Sequence, residues 1–353
     1  MHADTLISPT NADILAEDIA HIHTALLPWW PALAGARLFV TGGTGFIGKW
    51  LLASLAHADA ALGLGVEVSL LSRDPAGFAA RNPALAAWPA LRMVAGDVCA
   101  LRPDGQRYTH VIHAATEASA ALNENDPRAM FDTVVEGTRR ALDFAVAAGA
   151  GRFLYLSSGA VYGAQGEPHV SETATTAPDP TFYRNAYAEG KRAAEMLCAI
   201  YGRQFGLPVV TARIFALLGP LLPLDIHFAA GNFLADALAG RPVVVNSCGR
   251  AERSYLYAAD MAEWLWAMLL RASPGAVYNV GAQEAVSIAE LARRIAALVG
   301  TGEWRVLGAP DAGWNPGRYV PSTRRIAADL GLAPRIGLDE AICRTALWHG
   351  WNR

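Results

Sequence analysis

The sequence lacks any long block of lysine and arginine, and its formal net charge at pH 7 is only −3. A protein that binds nucleic acid through phosphate contacts needs a strongly basic surface, so the charge pattern excludes nucleic acid as a partner. Any anionic ligand must therefore be small and held by a few local groups.

Long hydrophobic runs are missing as well. Hydrophobic residues make up 53% of the chain and the mean hydropathy is +0.21. Charged residues, prolines or glycines nevertheless interrupt every apolar run before it reaches the ~20 residues that cross a bilayer. Residues 1–23 carry acidic side chains early and have no basic segment followed by an apolar core, unlike a secretory signal. We expect a soluble, cytoplasmic protein with no membrane partner.

Paired cysteines and clustered histidines are also absent. The four cysteines include no C-x-x-C pair and fit neither a zinc site nor a disulfide framework. We expect buried free thiols at Cys99, Cys198, Cys248 and Cys343. The nine histidines are equally scattered and form no H-E-x-x-H motif, so the pattern does not support a metal-dependent mechanism.

Residues 1–35 are predicted to form an N-terminal helical extension. Apolar residues recur there at helical spacing until a proline and tryptophan cluster at 28–31. They are Ile14, Ile19, Ile22, Leu26 and Leu27. We expect this extension to pack on the main domain or on a partner subunit.

From Ala36 onward, short β-rich runs alternate with alanine-rich helical stretches. Near-continuous apolar strands in such an alternation are typical of a parallel sheet covered by helices on both faces. The pattern predicts an α/β protein with a Rossmann-type, doubly wound parallel sheet over 36–220 and about 256–282. Looser segments with many prolines and glycines, at about 221–255 and 283–353, predict a smaller C-terminal substrate-binding lobe.

A glycine-rich loop follows the first predicted strand and precedes a helix. It reads TGGTGFIG over 41–48, a G-x-x-G-x-x-G run. Glycines at this place let the backbone approach a pyrophosphate, whose charge is stabilised by the N–H groups of the helix start. We therefore predict dinucleotide binding at Gly42, Gly45, Phe46, Ile47 and Gly48, with a purely structural turn as the alternative.

The second strand ends in Ser72, Arg73 and Asp74, where a dinucleotide-binding fold reads the adenosine ribose. No carboxylate stands at Ser72, and Arg73 can pair with a 2′-phosphate, so the pattern favours NADP over NAD. Asp74, or a different orientation of Arg73, would reverse this preference. Asp59 lies nearer the usual sequence distance, but we interpret it as a solvated surface acid in the helix or the loop after it.

Asp97 closes the third predicted strand in the motif AGDV. Its carboxylate is placed to accept a hydrogen bond from an adenine amino group. The alternative is that Asp97 only forms the turn at the end of the strand.

Tyr187 and Lys191 are four residues apart and therefore lie on one face of a predicted helix. A nearby ammonium favours the phenolate and brings the tyrosine pKa toward neutrality, where the phenol can exchange a proton with a carbinol. Ser158 ends an apolar strand at the ligand edge of the sheet, and its hydroxyl can hold the substrate oxygen. The order glycine loop, Ser158, Tyr187 and Lys191 predicts an enzyme that transfers hydride between a nicotinamide and a carbinol.

Together these residues resemble the extended short-chain dehydrogenases/reductases, specifically the nucleotide-sugar epimerase/dehydratase group, over about residues 36–335. The motifs that carry the resemblance are TGGTGFIG (41–48), GD (96–97), HAA (113–115), GT (137–138), SSGAVYG (157–163), YAEGK (187–191), GP (219–220), RSYLYAAD (253–260) and YNVG (278–281). The resemblance implies NAD(P) as cofactor, a nucleotide-diphosphate sugar as substrate, and a homodimer formed through the tyrosine-bearing helix and its neighbour.

The resemblance also implies roles for single residues. Ser158 corresponds to a hydrogen-bond donor, Tyr187 to the acid/base, and Lys191 to the residue that lowers the tyrosine pKa and holds the nicotinamide ribose. The implied cofactor site further includes Val98, Ala114 and Ala115.

Two residues are implied as contacts of the substrate diphosphate. Arg253 resembles the diphosphate-binding arginine of the family, with a surface ion pair to Glu252 or Asp260 as the alternative. Asn232 is a second candidate contact, and a polar residue on a helix surface is its alternative role.

Three departures from the family pattern narrow the reaction. The 4,6-dehydratases carry Asp and Glu where Gly159 and Ala160 stand here, and neither of these residues can move a proton. The C3/C5-epimerising reductases carry Cys in place of Ala160. Ala216 replaces an Asn that contacts the sugar diphosphate, which indicates an altered substrate.

The sequence therefore favours a nucleotide-sugar C4 epimerase, or a 4-ketoreductase, acting through a bound nicotinamide. A decarboxylase or 4,6-dehydratase of the same family is the alternative, and a non-catalytic cofactor-binding scaffold is a remote one. Cofactor that exchanges with solution would favour a reductase, and tightly retained NAD would favour an epimerase. The tryptophans, Trp264 and Trp266 among them, are expected in the core.

Overall fold

The structure is a computed structural model that describes residues 11–116, 120–224, 229–309 and 317–352. Its strands are β1 (Arg37–Thr41), β2 (Glu67–Ser72), β3 (Leu91–Ala95), β4 (His110–His113), β5 (Arg152–Ser158), β6 (Val209–Ile214), β7 (Ala216–Leu218), β8 (Val243–Val245), β9 (Glu252–Arg253), β10 (Tyr255–Tyr257), β11 (Val277–Val280), β12 (Val286–Ser287), β13 (Trp304–Val306) and β14 (Arg318–Tyr319).

Helices cover both faces of the sheet and build much of the C-terminal half. They are α1 (Asn11–Ala25), α2 (Phe46–Leu62), α3 (Pro75–Arg81), α4 (Pro83–Ala86), α5 (Ala120–Asn125), α6 (Pro127–Ala148), α7 (Ala186–Phe205), α8 (Ala229–Leu238), α9 (Ala258–Arg271), α10 (Ile288–Leu298), α11 (Arg324–Leu330) and α12 (Leu338–Trp348). Short 3-10 turns occupy Trp30–Leu33, Val98–Ala100, Gly159–Tyr162 and Tyr183–Asn185. Across the described residues, no helix is both long and apolar enough to cross a membrane.

Seven strands form one parallel sheet in the order β3-β2-β1-β4-β5-β6-β11. The strand order reverses between β1 and β4, and doubly wound sheets bind ligands at the carboxyl ends of the strands at such a switch point. Thr41 at the end of β1 lies between Leu71 of β2 and His113 of β4. The predicted Rossmann-type α/β fold is confirmed.

The strands are apolar on both sides because each face of the sheet has its own helical layer. Leu154 of β5 packs in the core that contains α2 and α9, whereas Phe153 and Tyr155 pack in the core that contains α6 and α7. Trp266 of α9 is fully buried and donates from Nε1 to Ser54 Oγ at 2.9 Å. Trp266 and Trp264 therefore lie in the core, as expected from the sequence.

The N-terminal extension packs on the body of the same chain through α1, which contacts α2, α9 and α12. Four of the five apolar residues at helical spacing are buried, whereas Leu27 is 45% exposed. Arg344 of α12 donates from Nη1 to Asp18 Oδ1 at 2.9 Å, and Tyr257 donates to Asp18 Oδ2. Apolar packing and buried polar contacts thus both join the extension to the body.

The C-terminal half contributes to two regions. Strand β11 lies beside β6 at the edge of the main sheet, and α9 packs against β5 and β6. Helices α8 and α10 pack together on β8, which pairs with β13. Strand β9 lies between β12 and β14.

All four cysteines are free thiols. Cys198 and Cys343 are buried, whereas Cys99 and Cys248 are half-buried, so the expectation of burial is confirmed for two of them. Within the described ranges, no three His, Cys, Asp or Glu side chains are grouped as potential metal ligands.

Candidate active site

The glycine loop between β1 and α2 lies at the switch point of the sheet. Gly42 has a φ of 72°, and a Cβ there would lie 2.3 Å from the carbonyl carbon of Ala114. A Cβ at Gly48 would lie 2.2 Å from Gly43 Cα. Close packing of the loop on the end of β4 and on α2 therefore requires glycine at both positions.

Gly45 has no comparable packing requirement. Its φ is −79°, and a Cβ there would meet only the Gly42 oxygen, at 3.4 Å. Gly45 begins α2 without a side-chain cap, so the N–H groups of Phe46 and Ile47 suit an anionic ligand. A side chain at position 45 would cover this helix start, so the glycine fits the approach of a dinucleotide diphosphate.

The carboxylate at the end of β2 is engaged by its own helix. Asp74 is the N-cap of α3, where its Oδ1 accepts from Gly77 N at 2.8 Å and its Oδ2 lies 3.4 Å from Arg81 Nη2. Ser72 is buried, and its Oγ accepts from Asp74 N at 3.1 Å. Arg73 lies between these two residues and is exposed.

The interpretation of Asp59 as a solvated surface acid is wrong. Its Oδ1 accepts from Gly65 N at 2.9 Å, and its Oδ2 accepts from Trp88 Nε1 at 3.1 Å. Asp59 therefore holds the turn that leads into β2 and ties it to the segment before β3. Trp88 is distant in sequence, so no local pattern indicated this role.

Asp97 is exposed after β3, and its Oδ1 accepts from Cys99 N at 2.8 Å. The turn-forming role that was the alternative for Asp97 is therefore present, and contact with adenine stays a prediction. Val98 is buried beneath α6, where a Cβ at Gly137 would lie 3.0 Å from Val98 Cγ1. Ala115 follows β4 and donates from its N–H to Thr41 Oγ1 at 3.3 Å, beside Ala114 and the glycine loop.

Ser158 ends β5 and is 7% exposed. It is the N-cap of the 3-10 turn Gly159–Tyr162, and its Oγ accepts from Ala160 N at 3.1 Å. The hydroxyl thus lies at the carboxyl edge of the sheet in a fixed orientation.

Helix α7 brings Tyr187 and Lys191 to the same edge. Lys191 is 2% exposed, and its Nζ donates to Leu156 O at 2.7 Å and to Thr116 Oγ1 at 2.8 Å. The Tyr187 ring centroid lies 5.9 Å from that Nζ, and the Ser158 hydroxyl is near enough to the Tyr187 hydroxyl to oppose the rise of the Tyr187 pKa. The structure therefore brings together the three residues that the sequence predicted as catalytic.

The chain's own groups do not lower the pKa of Tyr187, in contrast to the expectation from the sequence. Burial raises this pKa, and the neighbouring Ser158 hydroxyl only partly opposes the rise. Burial also lowers the pKa of Lys191 to about 7, although Glu195 opposes it, so the expected ammonium is weakened.

His113 of β4 is fully enclosed beside this group. Thr41 Oγ1 lies 2.7 Å from its Nδ1, and Thr138 Oγ1 lies 3.1 Å from its Nε2. Burial, assisted by the charge of Lys191, lowers the pKa of His113 to about 3. The ring is therefore neutral and joins β1, β4 and α6 through hydrogen bonds.

We predict that His113 causes part of the loss of stability in acid. Its pKa falls from 6.5 to about 3 on folding, so its contribution is present above pH 6.5 and is lost as the pH falls toward 3. Urea denaturation from pH 7 to 4 should show a steep fall in the free energy of unfolding, at up to about 1.4 kcal/mol per pH unit. His113→Gln should have a shallower slope, and the control His169→Gln, at a histidine outside the core, should keep the wild-type slope. Equal slopes in all three proteins would contradict the prediction.

Tyr319 lies at the site although nothing in the sequence indicated it. Its hydroxyl is 3.2 Å from Ser158 Oγ and 3.2 Å from Ile214 O. Its ring packs on Phe215, with centroids 4.5 Å apart. Tyr319 and Ser158 are 161 residues apart, and Tyr319 belongs to no motif that suggests chemistry.

Arg253 reaches the same place from β9. Its guanidinium carbon lies 5.8 Å from the Tyr319 ring centroid, and its Nη1 donates to Glu252 O at 2.8 Å. The carboxylates considered as its ion-pair partners are engaged elsewhere, because Glu252 pairs with Arg318 and Asp260 pairs with Arg335. Arg253 therefore lies on the catalytic side of the small β-sheet, where a diphosphate contact is predicted.

Asn232 lies on an exposed position of α8, which fits the alternative role of a polar residue on a helix surface. No hydrogen bond within the described residues joins it to Ser158, Tyr187 or Arg253. Its contact with a substrate stays a prediction.

Phe215 occupies the space beside the turn after Ser158. A Cβ at Gly159 would lie 2.6 Å from Phe215 Cζ, so an acidic side chain at position 159 would require the ring to move. Ala216 begins β7 and pairs with Tyr255 of β10. The sequence departure at Gly159 thus coincides with an apolar wall that the Phe215 ring fills.

The sheet and the glycine loop define a Rossmann-type α/β protein whose first loop fits a dinucleotide. The sequence model of the NAD dependent epimerase/dehydratase family matches residues 38–281, and the chain belongs to this family. It is 30% identical over 310 residues to UDP-glucuronic acid decarboxylase 1 of Arabidopsis thaliana, covering 87% of this chain and 68% of the relative.

Two solved structures share the fold. The dTDP-glucose 4,6-dehydratase of Streptomyces venezuelae with NAD bound has a TM-score of 0.76 and 24% identity, covering 89% of this chain and 96% of that chain. The UDP-glucose 4-epimerase of Thermotoga maritima with UDP-glucose has a TM-score of 0.74 and 19% identity, covering 89% and 98%.

These relatives catalyse different reactions, so family membership defines an NAD-dependent nucleotide-sugar enzyme and leaves the reaction to be argued from the site. The preference for NADP obtains no support from them, because the family is described as NAD dependent and the dehydratase structure holds NAD.

Proposed function

We propose that this chain is a nucleotide-sugar enzyme that moves hydride at C4 of the sugar, as a 4-epimerase or a 4-ketoreductase. The observation that carries the proposal is the combination of Ser158, Tyr187 and Lys191 at one edge with Gly159 and Ala160 beside them. The first three supply the groups for oxidation and reduction of a carbinol. The other two supply none for eliminating water.

The chain's residues have separate tasks in this reaction. Tyr187 exchanges the proton of the C4 hydroxyl, and Ser158 donates a hydrogen bond to the same oxygen. Lys191 lies beside the tyrosine ring. There its ammonium group would bind a cofactor ribose in place of its present contacts with Thr116 and Leu156. A nicotinamide dinucleotide on the glycine loop would supply the site that accepts and returns hydride.

The filled wall after Ser158 supports a reaction without elimination. Because Phe215 would contact a Cβ at Gly159 at 2.6 Å, the wall offers no room for the carboxylic acid of a dehydratase. A 4-keto sugar bound here would therefore meet no acid/base pair that could remove its C5 proton and expel its C6 hydroxyl.

A nucleotide-sugar decarboxylase is the second candidate, favoured by the 30% identity to UDP-glucuronic acid decarboxylase 1. A hexuronic acid oxidised at C4 is a β-keto acid, which loses CO₂ without a dedicated acid/base pair. Gly159 and Ala160 therefore count less against this reaction than against dehydration.

The test begins with the dinucleotide released from freshly purified protein by denaturation. The protein is then incubated with UDP-glucose, UDP-glucuronic acid and dTDP-glucose, and the products are identified by mass spectrometry and NMR. A C4 epimer formed without added cofactor supports the epimerase, and oxidation of the C4 hydroxyl that reduces added NAD(P)+ to NAD(P)H supports the ketoreductase, observed in its reverse direction. Release of CO₂ would overturn the proposal in favour of the decarboxylase, and loss of water would do so in favour of the dehydratase. The absence of any product would also overturn it.

We further propose that Arg73 gives the cofactor site its tolerance of a 2′-phosphate. The support is that Asp74 caps α3 and pairs with Arg81, while Arg73 is exposed at the end of β2. Arg73→Ala should weaken NADPH binding by about 10- to 100-fold, the range of a charge-assisted hydrogen bond, and change NADH binding little. Isothermal titration of both cofactors tests this, with Arg81→Ala as the control. An equal effect on NADH and NADPH would contradict it.

A homodimer through α6 and α7 is also part of the proposal. These two helices pack closely at Gly190, where a Cβ would lie 3.2 Å from Val134 Cβ. Their outer surface exposes apolar side chains, with Met196 at 62% and Ile200 at 38%. Such a patch is typical of a protein interface.

The double variant Met196→Glu/Ile200→Glu is therefore expected to be monomeric, because the carboxylates would be buried unpaired in the interface. Sedimentation velocity measures the change. Leu307→Glu, at another exposed apolar position that is 61% accessible, should leave the wild-type assembly intact. A wild-type protein that sediments as a monomer would refute the assignment.

A further inference from the structure

Tyr319 is held against the catalytic serine by backbone contacts on both sides. Its strand β14 pairs with β9, and the following residues bond to the segment that succeeds the catalytic turn. Val320 N donates to Gln165 Oε1 at 3.1 Å, and Val170 N donates to Val320 O at 3.0 Å. The position of the Tyr319 hydroxyl is therefore set by the fold rather than by its contact with Ser158.

The hydroxyl of Tyr319 is a proton donor throughout the neutral range. Burial raises its pKa, and the hydrogen bond with Ser158 and the charge of Arg253 oppose this only in part. Its single proton has two acceptors at the same distance of 3.2 Å, Ile214 O and Ser158 Oγ.

The acceptor that receives the Tyr319 proton determines where the Ser158 proton can point. The serine already accepts from Ala160 N at 3.1 Å, so it has one lone pair and one proton left. If Tyr319 donates to Ile214 O, the proton of Ser158 is drawn to Tyr319. If Tyr319 donates to Ser158, both lone pairs of the serine are filled and its proton can point only to Tyr187 or to a substrate oxygen.

We propose that Tyr319 is a positioning residue for Ser158: its hydroxyl donates to Ser158 Oγ and thereby directs the single serine proton at Tyr187 or, when substrate is bound, at the reacting oxygen of the substrate. The inference rests on the proposed function and names a residue outside the predicted trio. The Tyr319 ring packs on Phe215, the residue that fills the wall at Gly159, and this packing helps to hold the hydroxyl in place.

The decisive variant is Tyr319→Phe, which keeps the ring and removes only the hydroxyl. Without the donor, Ser158 orients its proton less well and stabilises the Tyr187 phenolate less. We expect the pKa of Tyr187 to rise and kcat to fall by about 2- to 10-fold, the range of one hydrogen bond, while KM changes less than kcat.

Tyr162→Phe is the matched control. Tyr162 is buried, its ring also packs beside Phe215, and its hydroxyl donates to Asn279 Oδ1 at 2.7 Å instead of contacting Ser158. Its loss should affect stability and leave the Tyr187 pKa unchanged.

The pKa of Tyr187 is measured by NMR titration of protein labelled with ¹³C at the tyrosine hydroxyl-bearing carbon, with and without added NAD. Loss of a signal in Tyr187→Phe assigns the resonance. This titration needs no turnover, so it decides the role of Tyr319 even if no nucleotide sugar reacts and the proposed function fails.

A higher Tyr187 pKa in Tyr319→Phe but not in Tyr162→Phe would support the inference. An unchanged pKa would overturn it, and a lowered pKa would show instead that Tyr319 withdraws the serine proton. A second comparison uses Ser158→Ala: in that background, Tyr319→Phe should have no further effect on the Tyr187 resonance. An effect that persists there would mean that Tyr319 does not act through Ser158.

Discussion

Tyr187→Phe is expected to lower turnover by about 10²- to 10⁴-fold, the usual contribution of a positioned acid/base group. The reason is that the hydroxyl proposed to exchange the C4 proton is lost while the ring, which lies beside Lys191, is kept. Cofactor binding and thermal stability should change little. Single-turnover measurement of hydride transfer to the bound cofactor, with the substrate found active in the product assay, tests this expectation.

Tyr183→Phe is the control for this substitution. Tyr183 lies four residues earlier, is 51% exposed, and donates to Glu124 Oε1 at 3.1 Å away from Ser158. Its loss should leave turnover near the wild-type value. If Tyr187→Phe kept more than about a tenth of the wild-type rate, well above the range for such a group, Tyr187 would not be the acid/base.

Lys191→Met is expected to abolish most activity and to stabilise the protein. Burial lowers the pKa of Lys191 from 10.5 to about 7, at about 1.4 kcal/mol per unit. Loss of the hydrogen bonds to Thr116 and Leu156 offsets part of this gain, which leaves a net stabilisation on the order of 2 kcal/mol at pH 7. A buried amine that costs stability is typical of a functional residue.

The pH dependence gives this prediction a second measurement. Because the folded-state pKa is depressed, the unfolded chain holds more protons than the folded protein between pH 7 and 10.5. Above pH 10.5 the buried amine therefore costs the wild-type protein no stability. As the pH falls to about 7, this cost grows and the free energy of unfolding decreases. The stability difference between variant and wild type should accordingly be largest at pH 7 and smaller at pH 9.

Lys49→Met is the control, since Lys49 and Lys191 are the only lysines in the chain and Lys49 is less buried. Urea denaturation of the three proteins at both pH values should show a smaller gain for Lys49→Met. A destabilised Lys191→Met variant would mean that the hydrogen bonds of the amine outweigh its burial.

The fold could be predicted because its signals are local. The alternation of apolar strands with alanine-rich helices, and a glycine run between a strand and a helix, are properties of contiguous residues. The four-residue spacing of Tyr187 and Lys191 placed both on one helix face, and the apolar strand before Ser158 placed its hydroxyl at the ligand edge. The structure brings these three side chains together as that spacing requires.

The misjudged residues depend on contacts between distant segments. The interpretation of Asp59 as a solvated acid fails because its carboxylate accepts from Trp88, and three elements, β2, α3 and α4, separate the two residues along the chain. The lowering of the Tyr187 pKa was expected from the neighbouring lysine, but burial acts on both groups and also weakens the charge of Lys191. Solvent exclusion is a property of the packed molecule, so no pattern of neighbours along the chain indicated it.

By itself, the sequence determined the parallel α/β architecture, the dinucleotide loop and the identity of the Ser158, Tyr187 and Lys191 group, because each depends on periodicity or short spacing. Only the tertiary structure decided that Phe215 fills the wall at Gly159 and that Tyr319 reaches Ser158 across 161 residues. It also decided which ionisable groups are shielded from water. These features depend on where the C-terminal segments pack at the edge of the sheet. Their packing brings together residues that are far apart in the sequence and share no local pattern.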